Sequence, residues 1–170
     1  MRYNPLKKDN KAIVLSVMCA VFAVILFVAS AFVRNFIILY QLTAIVLAIA
    51  SLQIYLKYVV SEYVYEATED DIKIYRVNGK KSICVASLSY EASKSSIMPV
   101  KDFLKNKKIL PKYAYTVNYA KNISPESYSL YLFDFNGKTV RMKFEPDDVF
   151  TSFVNTKIEK SLAENKTQDI

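Results

Sequence analysis

The chain of 170 residues contains no histidine, only two glycines and only two cysteines. Without histidine it cannot form a Ser-His-Asp triad or a His-ligated zinc site, and it lacks the commonest general base. Gly79 and Gly137 each follow an asparagine, so no glycine-rich phosphate-binding loop can be written on this sequence. Cys19 and Cys84 lack the spacing of a metal pair, and we expect both to be reduced, packed side chains. These absences predict a protein that is not an enzyme and binds neither cofactor nor metal.

Charge is missing from two long stretches near the N-terminus, residues 12–33 and 36–56, which are separated by Arg34 and Asn35. A helix of about 21 residues spans about 32 Å, and the hydrocarbon core of a bilayer requires roughly 20 residues. We therefore predict a transmembrane α-hairpin with helices at about 12–33 and 36–56. Small side chains would let its helices pack on each other, or on a second copy in a homo-oligomer. These are Ala44, Ala48, Ala50 and Ser51.

The net charge of +7 is concentrated around these stretches, with six basic residues and one acidic residue before Val59. Four basic residues precede the first stretch, and the positive-inside rule therefore predicts a cytoplasmic N-terminus. Because the connection is short and the second helix returns, we expect a multi-pass protein of the cell membrane with both termini in the cytoplasm. Signal-peptidase cleavage at Ala29-Ser30-Ala31 is the alternative, and it would still leave the C-terminal part cytoplasmic.

Beyond the second stretch, apolar and polar residues alternate, which predicts antiparallel strands in one domain over residues 59–170. Asn78-Gly79 and Asn136-Gly137 each join two β-type runs and predict β-hairpins, with positive φ at both turn residues. Residues 88–112 are ambiguous, with room for one or two helical turns at 100–106, and they leave the strand count and barrel closure open. The inward face of the last strand is predicted to carry Val140, Met142 and Phe144.

The C-terminal part has the pattern of an amphipathic helix beginning at Pro146, a residue favoured at the first helical position. Asp147 and Asp148 complement the positive end of the helix dipole. Apolar residues then recur at helical spacing and predict one face that docks on the sheet. They are Val149, Phe150, Phe153, Val154, Ile158 and Leu162.

This succession resembles the pleckstrin-homology-like (PH-like) domains of small bacterial membrane proteins, in which a two-helix hairpin often precedes the domain. The hairpin carries the resemblance together with Tyr63-Val64-Tyr65, Asp71-Ile72-Lys73-Ile74, Gly79-Lys80-Lys81 and the helix from Pro146. It implies a membrane α-hairpin (residues 1–58, with the basic arm) plus an α+β domain (residues 59–170). That domain would be an antiparallel PH-like β-barrel or sheet, capped by the C-terminal amphipathic helix. It also implies binding or scaffolding without catalysis.

A lysine cluster is the most conspicuous surface feature of the predicted domain. Basic side chains near a cytoplasmic leaflet are attracted to anionic lipids, so we expect this cluster to contact either such lipids or an acidic protein partner. The simpler alternative is a solvated loop. The cluster comprises Lys101, Lys105, Lys107, Lys108 and Lys112.

Other binding functions have weaker support. Glu69-Asp70-Asp71 is expected to form a turn, with a calcium or magnesium site as the minor alternative. Tyr113, Tyr115, Val117 and Tyr119 share one face of a predicted strand and are expected to belong to the core, so we expect no nucleic-acid binding. The sequence thus predicts a membrane-anchored binding or scaffold module. The alternative is an accessory subunit that docks into a transporter or export complex through its hairpin.

Overall fold

The computed structural model describes residues 1–5, 10–33, 36–125 and 127–168, with side chains up to residue 163. It contains two compact units, one made of residues 1–7, 63–121 and 125–170 and the other of residues 8–62 and 122–124. Some positions used in the predictions lie outside the described residues. These are Lys7 and Lys8 of the basic arm, Arg34 and Asn35 between the helices, and the side chains from Glu164 onwards.

The helical unit contains α1 (Lys11–Ala29) and α2 (Ile37–Tyr55). One turn of π-helix, Leu56–Val60, continues α2. The turn ends where the hydroxyl and the amide of Ser61 both donate to the Leu56 carbonyl, at 2.8 Å and 3.1 Å. Both helices are long and apolar enough to cross a membrane. The predicted pair of apolar helices is confirmed.

Small side chains form the contact between α1 and α2. The Ser16 hydroxyl donates to the Ser51 carbonyl oxygen at 3.1 Å, and the Ser51 hydroxyl donates to the Ser16 carbonyl oxygen at 2.8 Å. Such reciprocal bonds bring the two backbones close together and satisfy both hydroxyl groups within an otherwise apolar helix pair. Ala44 is buried in this unit, in agreement with the prediction for small residues, whereas Ala48 is exposed.

The first sheet of the larger unit has the strand order β1-β2-β3-β4. β1 (Arg2–Tyr3) pairs antiparallel with β2 (Glu62–Ala67), and β3 (Asp71–Asn78) pairs with β4 (Lys81–Ser89). The chain therefore leaves this sheet after β1, forms both long helices, and returns to the sheet as the neighbouring strand. The sequence interpretation grouped the whole of residues 1–58 with the helices, whereas the structure places β1 in the domain.

The two predicted hairpin turns differ in conformation. Asn136 and Gly137 both have positive φ, at 53° and 74°, as a type I′ turn requires. At the first hairpin Asn78 pairs with Lys81, so the loop consists of Gly79 and Lys80 and only Gly79, at φ 60°, is left-handed. The expectation of positive φ at both residues is thus wrong for Asn78, because glycine occupies the first central position there, as in a type II′ turn.

The second sheet has the order β5-β7-β8-β6, and a single bridge between Ser93 and Phe133 lies outside its named strands. The described strands form two four-stranded sheets, and the ladder does not close into a barrel. β6 runs parallel to β8, which departs from the antiparallel prediction. All other described pairs in this sheet are antiparallel. The strands are β5 (Met98–Pro99), β6 (Tyr115–Asn118), β7 (Ser129–Phe135) and β8 (Lys138–Phe144).

The larger unit also contains two helices, α3 (Val100–Asn106), which packs on the second sheet, and α4 (Asp148–Gln168), which packs on a core shared by both sheets. Asp147 caps α4, because its carboxylate accepts a hydrogen bond from the Phe150 amide at 2.7 Å. The buried face of α4 consists of Phe150, Val154 and Ile158. Val149 and Leu162 were predicted on this face, but both are exposed; Val149 precedes Phe150 directly and points away from the core.

The main core lies between the two sheets and α4. The inward residues predicted on β8 are confirmed, since all three are fully buried. On β7, alternate residues enter two different cores, with Tyr131 and Phe133 in the main core and Leu130 and Leu132 in a second one. β7 is therefore apolar on both faces, which explains its continuous hydrophobic sequence. The main core includes Tyr65, Ile72, Ile74, Val140, Met142, Phe144, Phe150, Val154 and Ile158.

Asn155 on α4 forms a two-point contact with the chain just before β5. Its side-chain oxygen accepts from the Ile97 amide at 2.7 Å, and its side-chain nitrogen donates to the Ile97 carbonyl at 2.9 Å. We expect Asn155→Ala to lower the free energy of unfolding by about 2 kcal/mol, because two largely buried backbone groups lose their partner. Denaturant titration of the purified protein measures this change. Thr156→Ala is the matched control, because that exposed hydroxyl bonds only within its own helix; an equal loss in both variants would contradict the prediction.

Candidate functional site

The predicted lysine cluster lies on α3 and on the turn and loop that follow it. We call residues 100–112 the basic segment. All five lysines of the predicted cluster are exposed to solvent. The only acidic residue of the segment is Asp102, whose carboxylate lies 3.8 Å from the Lys105 ammonium in an exposed pair that contributes little stability. Five lysines and one aspartate leave the segment with a net charge of +4.

The second core fixes the basic segment on the sheet. Phe103 is only 1% exposed and packs with Leu130 and Leu132 on the face of β7 that points away from the main core. The backbone is held as well, since the Val100 amide donates to the Tyr128 carbonyl at 3.1 Å and the Leu110 amide donates to the Asn106 carbonyl at 3.2 Å. The predicted helical turns at residues 100–106 are confirmed. The lysines therefore project from a segment that is held by side-chain packing and backbone hydrogen bonds.

Two further cations lie beneath the basic segment on β8. The guanidinium carbon of Arg141 lies 4.1 Å from the ring centre of Tyr113, and the Arg141 Nε donates to the Thr116 hydroxyl at 2.9 Å. The Lys143 ammonium lies 3.9 Å from the ring centre of Tyr128. Burial lowers the pKa of Lys143; nearby Glu145 opposes this shift and Arg141 reinforces it. Since aromatic rings already engage these two cations, the exposed lysines are the groups available to a ligand.

Sequence reasoning missed two exposed apolar side chains within the basic segment, Leu104 and Ile109, which are 61% and 85% exposed. A signal was present, because each forms an adjacent pair with another apolar residue (Phe103-Leu104 and Ile109-Leu110). Neighbouring side chains on a helix point in directions about 100° apart, so an adjacent apolar pair on a short helix or turn rarely buries both members fully. Once Phe103 and Leu110 pack inward, Leu104 and Ile109 must point outward.

The acidic sequence Glu69-Asp70-Asp71 lies at the turn between β2 and β3, as predicted. The Asp71 carboxylate accepts from the hydroxyls of Thr68 and of Ser87, the latter at 2.6 Å. Burial raises the pKa of this carboxyl, but the two hydroxyls and nearby Lys73 outweigh it, so the net pKa is lowered. Within the described ranges, no three carboxylate or thiol groups are close enough to hold a metal ion. The contacts are those of a hydrogen-bonded turn.

The predicted tyrosine face and the two cysteines are also accounted for. Tyr119 packs against the main core and Tyr113 against the second core, whereas Tyr115 is 44% exposed, so the four residues do not share one buried face. Both cysteines are free thiols. Cys84 lies exposed on β4, which contradicts the expectation that it would be packed.

Two β-sheets and a C-terminal helix share one core, and two long apolar helices occur in the same chain. This is the architecture of a PH-like protein with a helical hairpin. Residues 6–164 match the family profile described as bacterial PH-like domain (DUF6106). The chain belongs to this family, which confirms the resemblance noted from its sequence. No curated protein and no solved structure matches the chain.

Proposed function

We propose that this protein is a membrane-anchored, non-enzymatic binding or scaffold module that presents its PH-like domain at the inner face of the cell membrane. The observation that carries the proposal is the pairing of β1 with β2, with Arg2 opposite Glu66 and Tyr3 opposite Tyr65. Both long apolar helices lie between these two strands in the chain. A segment inserted between neighbouring strands of one sheet must begin and end on the same side of any membrane that it crosses.

The charge pattern supports the cytoplasmic side. Arg2, Lys7, Lys8 and Lys11 precede the first uncharged stretch, and Arg34 is the one cation between the two stretches. The positive-inside rule places the more basic flank in the cytoplasm. On this basis the protein is a multi-pass membrane protein whose PH-like domain, including β1, is cytoplasmic.

Labelling of single cysteines tests this topology in intact bacterial cells. Cys84 is exposed on β4 and serves as the domain reporter once Cys19 has been replaced by alanine. Asn35→Cys, in a chain that also carries Cys84→Ala, reports on the connection between the helices. A membrane-impermeant maleimide is expected to label position 35 in intact cells and Cys84 only after permeabilisation. Labelling of Cys84 in intact cells, or of both sites under the same condition, would refute the proposed topology.

The binding surface that we propose is the basic segment. Basic side chains close to an anionic leaflet gain about 1 kcal/mol each, so the five exposed lysines together provide substantial attraction even after screening by salt. The ligand would present an anionic surface, which either lipid headgroups or an acidic protein could supply. Replacing Lys105, Lys107 and Lys108 with glutamine is expected to weaken such binding without unfolding the domain, because none of the three is buried.

An accessory subunit of a transporter or export complex is the alternative function. The observation that favours it is the outer surface of the two helices, where large apolar side chains such as Phe22, Ile38 and Val46 are mostly exposed. Either lipid or a partner helix covers such a surface. Exchange of the hairpin for an unrelated two-helix hairpin distinguishes the two functions. If proximity labelling from the PH-like domain identifies the same neighbours after the exchange, the domain carries the function; loss of those neighbours supports the accessory subunit.

A further inference from the structure

The basic segment combines two chemical features on its outer surface. Leu104 and Ile109 are the apolar side chains of the segment that project most fully into solvent. Lysines stand on either side of each, with Lys101 and Lys105 around Leu104 and Lys108 and Lys112 around Ile109. A helix or turn that exposes large apolar side chains among lysines is typical of segments that lie in the interface of an anionic bilayer.

The packing of the segment makes this exposure permanent. Phe103 is buried in the second core and the partly buried Leu110 packs against it, so their neighbours Leu104 and Ile109 point to solvent while this packing is kept. The Ile109 amide also donates to the Asn106 carbonyl at 2.9 Å, which fixes the turn that presents Ile109. The two apolar side chains therefore project from a preorganised support, and binding costs little conformational entropy.

We propose that the basic segment is a membrane wedge: Leu104 and Ile109 enter the headgroup region of the anionic bilayer while the flanking lysines contact lipid phosphates. This inference rests on the proposed function and names its ligand as lipid. An acidic protein would satisfy the lysines but would also need two matching apolar pockets, whereas a bilayer satisfies both features without a shape requirement. In addition, α2 and its π-helical turn lie next to β2 in the chain, with a single residue, Ser61, between the turn and the strand. This short link holds the domain near the bilayer at high effective concentration, so that weak insertion suffices.

The absence of tryptophan from the chain allows a direct test with the full-length protein. Ile109→Trp and Leu104→Trp each introduce a single fluorophore into the proposed wedge. Val149→Trp is the matched control, because Val149 is 66% exposed but follows two aspartates. Each variant is reconstituted into vesicles of phosphatidylcholine alone or of phosphatidylcholine with phosphatidylglycerol. At positions 104 and 109 we expect a blue shift of emission and quenching by brominated lipid in the anionic vesicles, and at position 149 we expect neither.

Charge dependence separates insertion from simple proximity to the membrane. Replacing Lys105, Lys107 and Lys108 with glutamine in the Ile109→Trp variant is expected to reverse most of the blue shift. High salt is expected to have the same effect on Ile109→Trp alone. Equal emission at positions 109 and 149 in both kinds of vesicle would overturn the wedge, as would insertion that is equally strong in neutral vesicles. A shift that requires an added acidic protein would overturn the choice of lipid. The cysteine labelling pattern is independent of these results, so a failed wedge and a failed topology are distinguishable.

Discussion

Replacement of Tyr65 by alanine should lower the free energy of unfolding of the PH-like domain by about 3 to 5 kcal/mol, the range measured for large aromatic side chains in protein cores. Tyr65 is fully buried at the centre of the main core. Its ring centre lies 5.3 Å from that of Phe144 in an edge-to-face arrangement, and 6.2 Å from those of Tyr3 and Phe150. One side chain thus joins β1, β2, β8 and α4. Because the free energy of unfolding of a small domain is only about 5 to 15 kcal/mol, this loss would remove a large part of the stability of the PH-like domain.

The hydroxyl of Tyr65 contributes separately from its ring. It donates to the Tyr119 carbonyl at 2.8 Å and accepts from the Glu145 amide at 3.3 Å. Tyr65→Phe keeps the ring and removes both bonds, so we expect a loss of about 1 to 2 kcal/mol. The difference between the alanine and phenylalanine variants then measures the packing of the ring.

Chemical denaturation of the purified full chain in detergent, followed by near-ultraviolet circular dichroism of the tyrosines, measures both losses. Tyr115→Ala is the control, because this tyrosine is partly exposed on β6 and its removal should change stability by about 0.5 kcal/mol or less. If Tyr65→Ala were no more damaging than Tyr115→Ala, the assignment of Tyr65 to the centre of the core would be wrong.

The second large effect is alkaline unfolding. Tyr131 is fully buried, and its hydroxyl forms a 2.6 Å hydrogen bond with the Ser93 hydroxyl. Burial raises the pKa of Tyr131 from 10.0 to about 12, although the bond to Ser93 opposes the shift. Burial likewise raises the pKa of Tyr90 to about 12, and nearby carboxylates such as Asp71 add to that effect. Both phenols thus remain protonated in the folded domain at a pH at which they ionise in the unfolded chain.

The direction of the pH dependence follows from proton binding. Between pH 10 and 12 the unfolded state binds fewer protons than the folded state at Tyr131, so stability falls as the pH rises through this window. A pKa difference of 2 units, taken from 12 and 10.0, corresponds to about 3 kcal/mol for this one residue. Below pH 10 its contribution is fully present. We therefore expect the stability of the domain to fall by about this amount as the pH rises from 10 to 12.

Denaturation midpoints measured across this pH window, with parallel measurement of tyrosinate absorbance, test the effect. The chain has 13 tyrosines and no tryptophan, so the absorbance change reports on tyrosine alone. Tyr131→Phe removes one delayed ionisation and should flatten the decline of stability between pH 10 and 12, while costing about 1 kcal/mol at neutral pH. An identical slope in the variant and the parent protein would show that Tyr131 ionises normally in the folded domain.

The sequence alone predicted those elements whose signals are local. Long uncharged stretches identified α1 and α2, a continuous apolar run identified β7, alternation identified β8, and Asn136-Gly137 identified the turn between these strands. The pairing of β1 could not be predicted, because two residues have no periodicity and their partner lies beyond both helices. Alternation of apolar and polar residues also carries no information about strand direction, so the parallel pairing of β6 with β8 was not predicted.

The candidate site was predicted in part, for a related reason. Lysine composition located the basic segment, and all five lysines are exposed as a binding surface requires. The apolar component was missed because a hydrophobic residue is assigned to the core by default. The exposure of Leu104 and Ile109 becomes apparent only from the burial of Phe103 and from the packing of the partly buried Leu110 against the second core.

The position of β1 also determines the order in which the protein can assemble. During synthesis β1 is made before both helices, whereas its partner β2 is made only after they are complete. The β7–β8 hairpin, by contrast, needs only a two-residue turn and can form as soon as it is made. The ladder between β1 and β2 therefore closes late, and synthesis of the helices and completion of the sheet become successive steps of one maturation pathway. A chain stalled between them would leave the β2 edge open to pairing with other polypeptides.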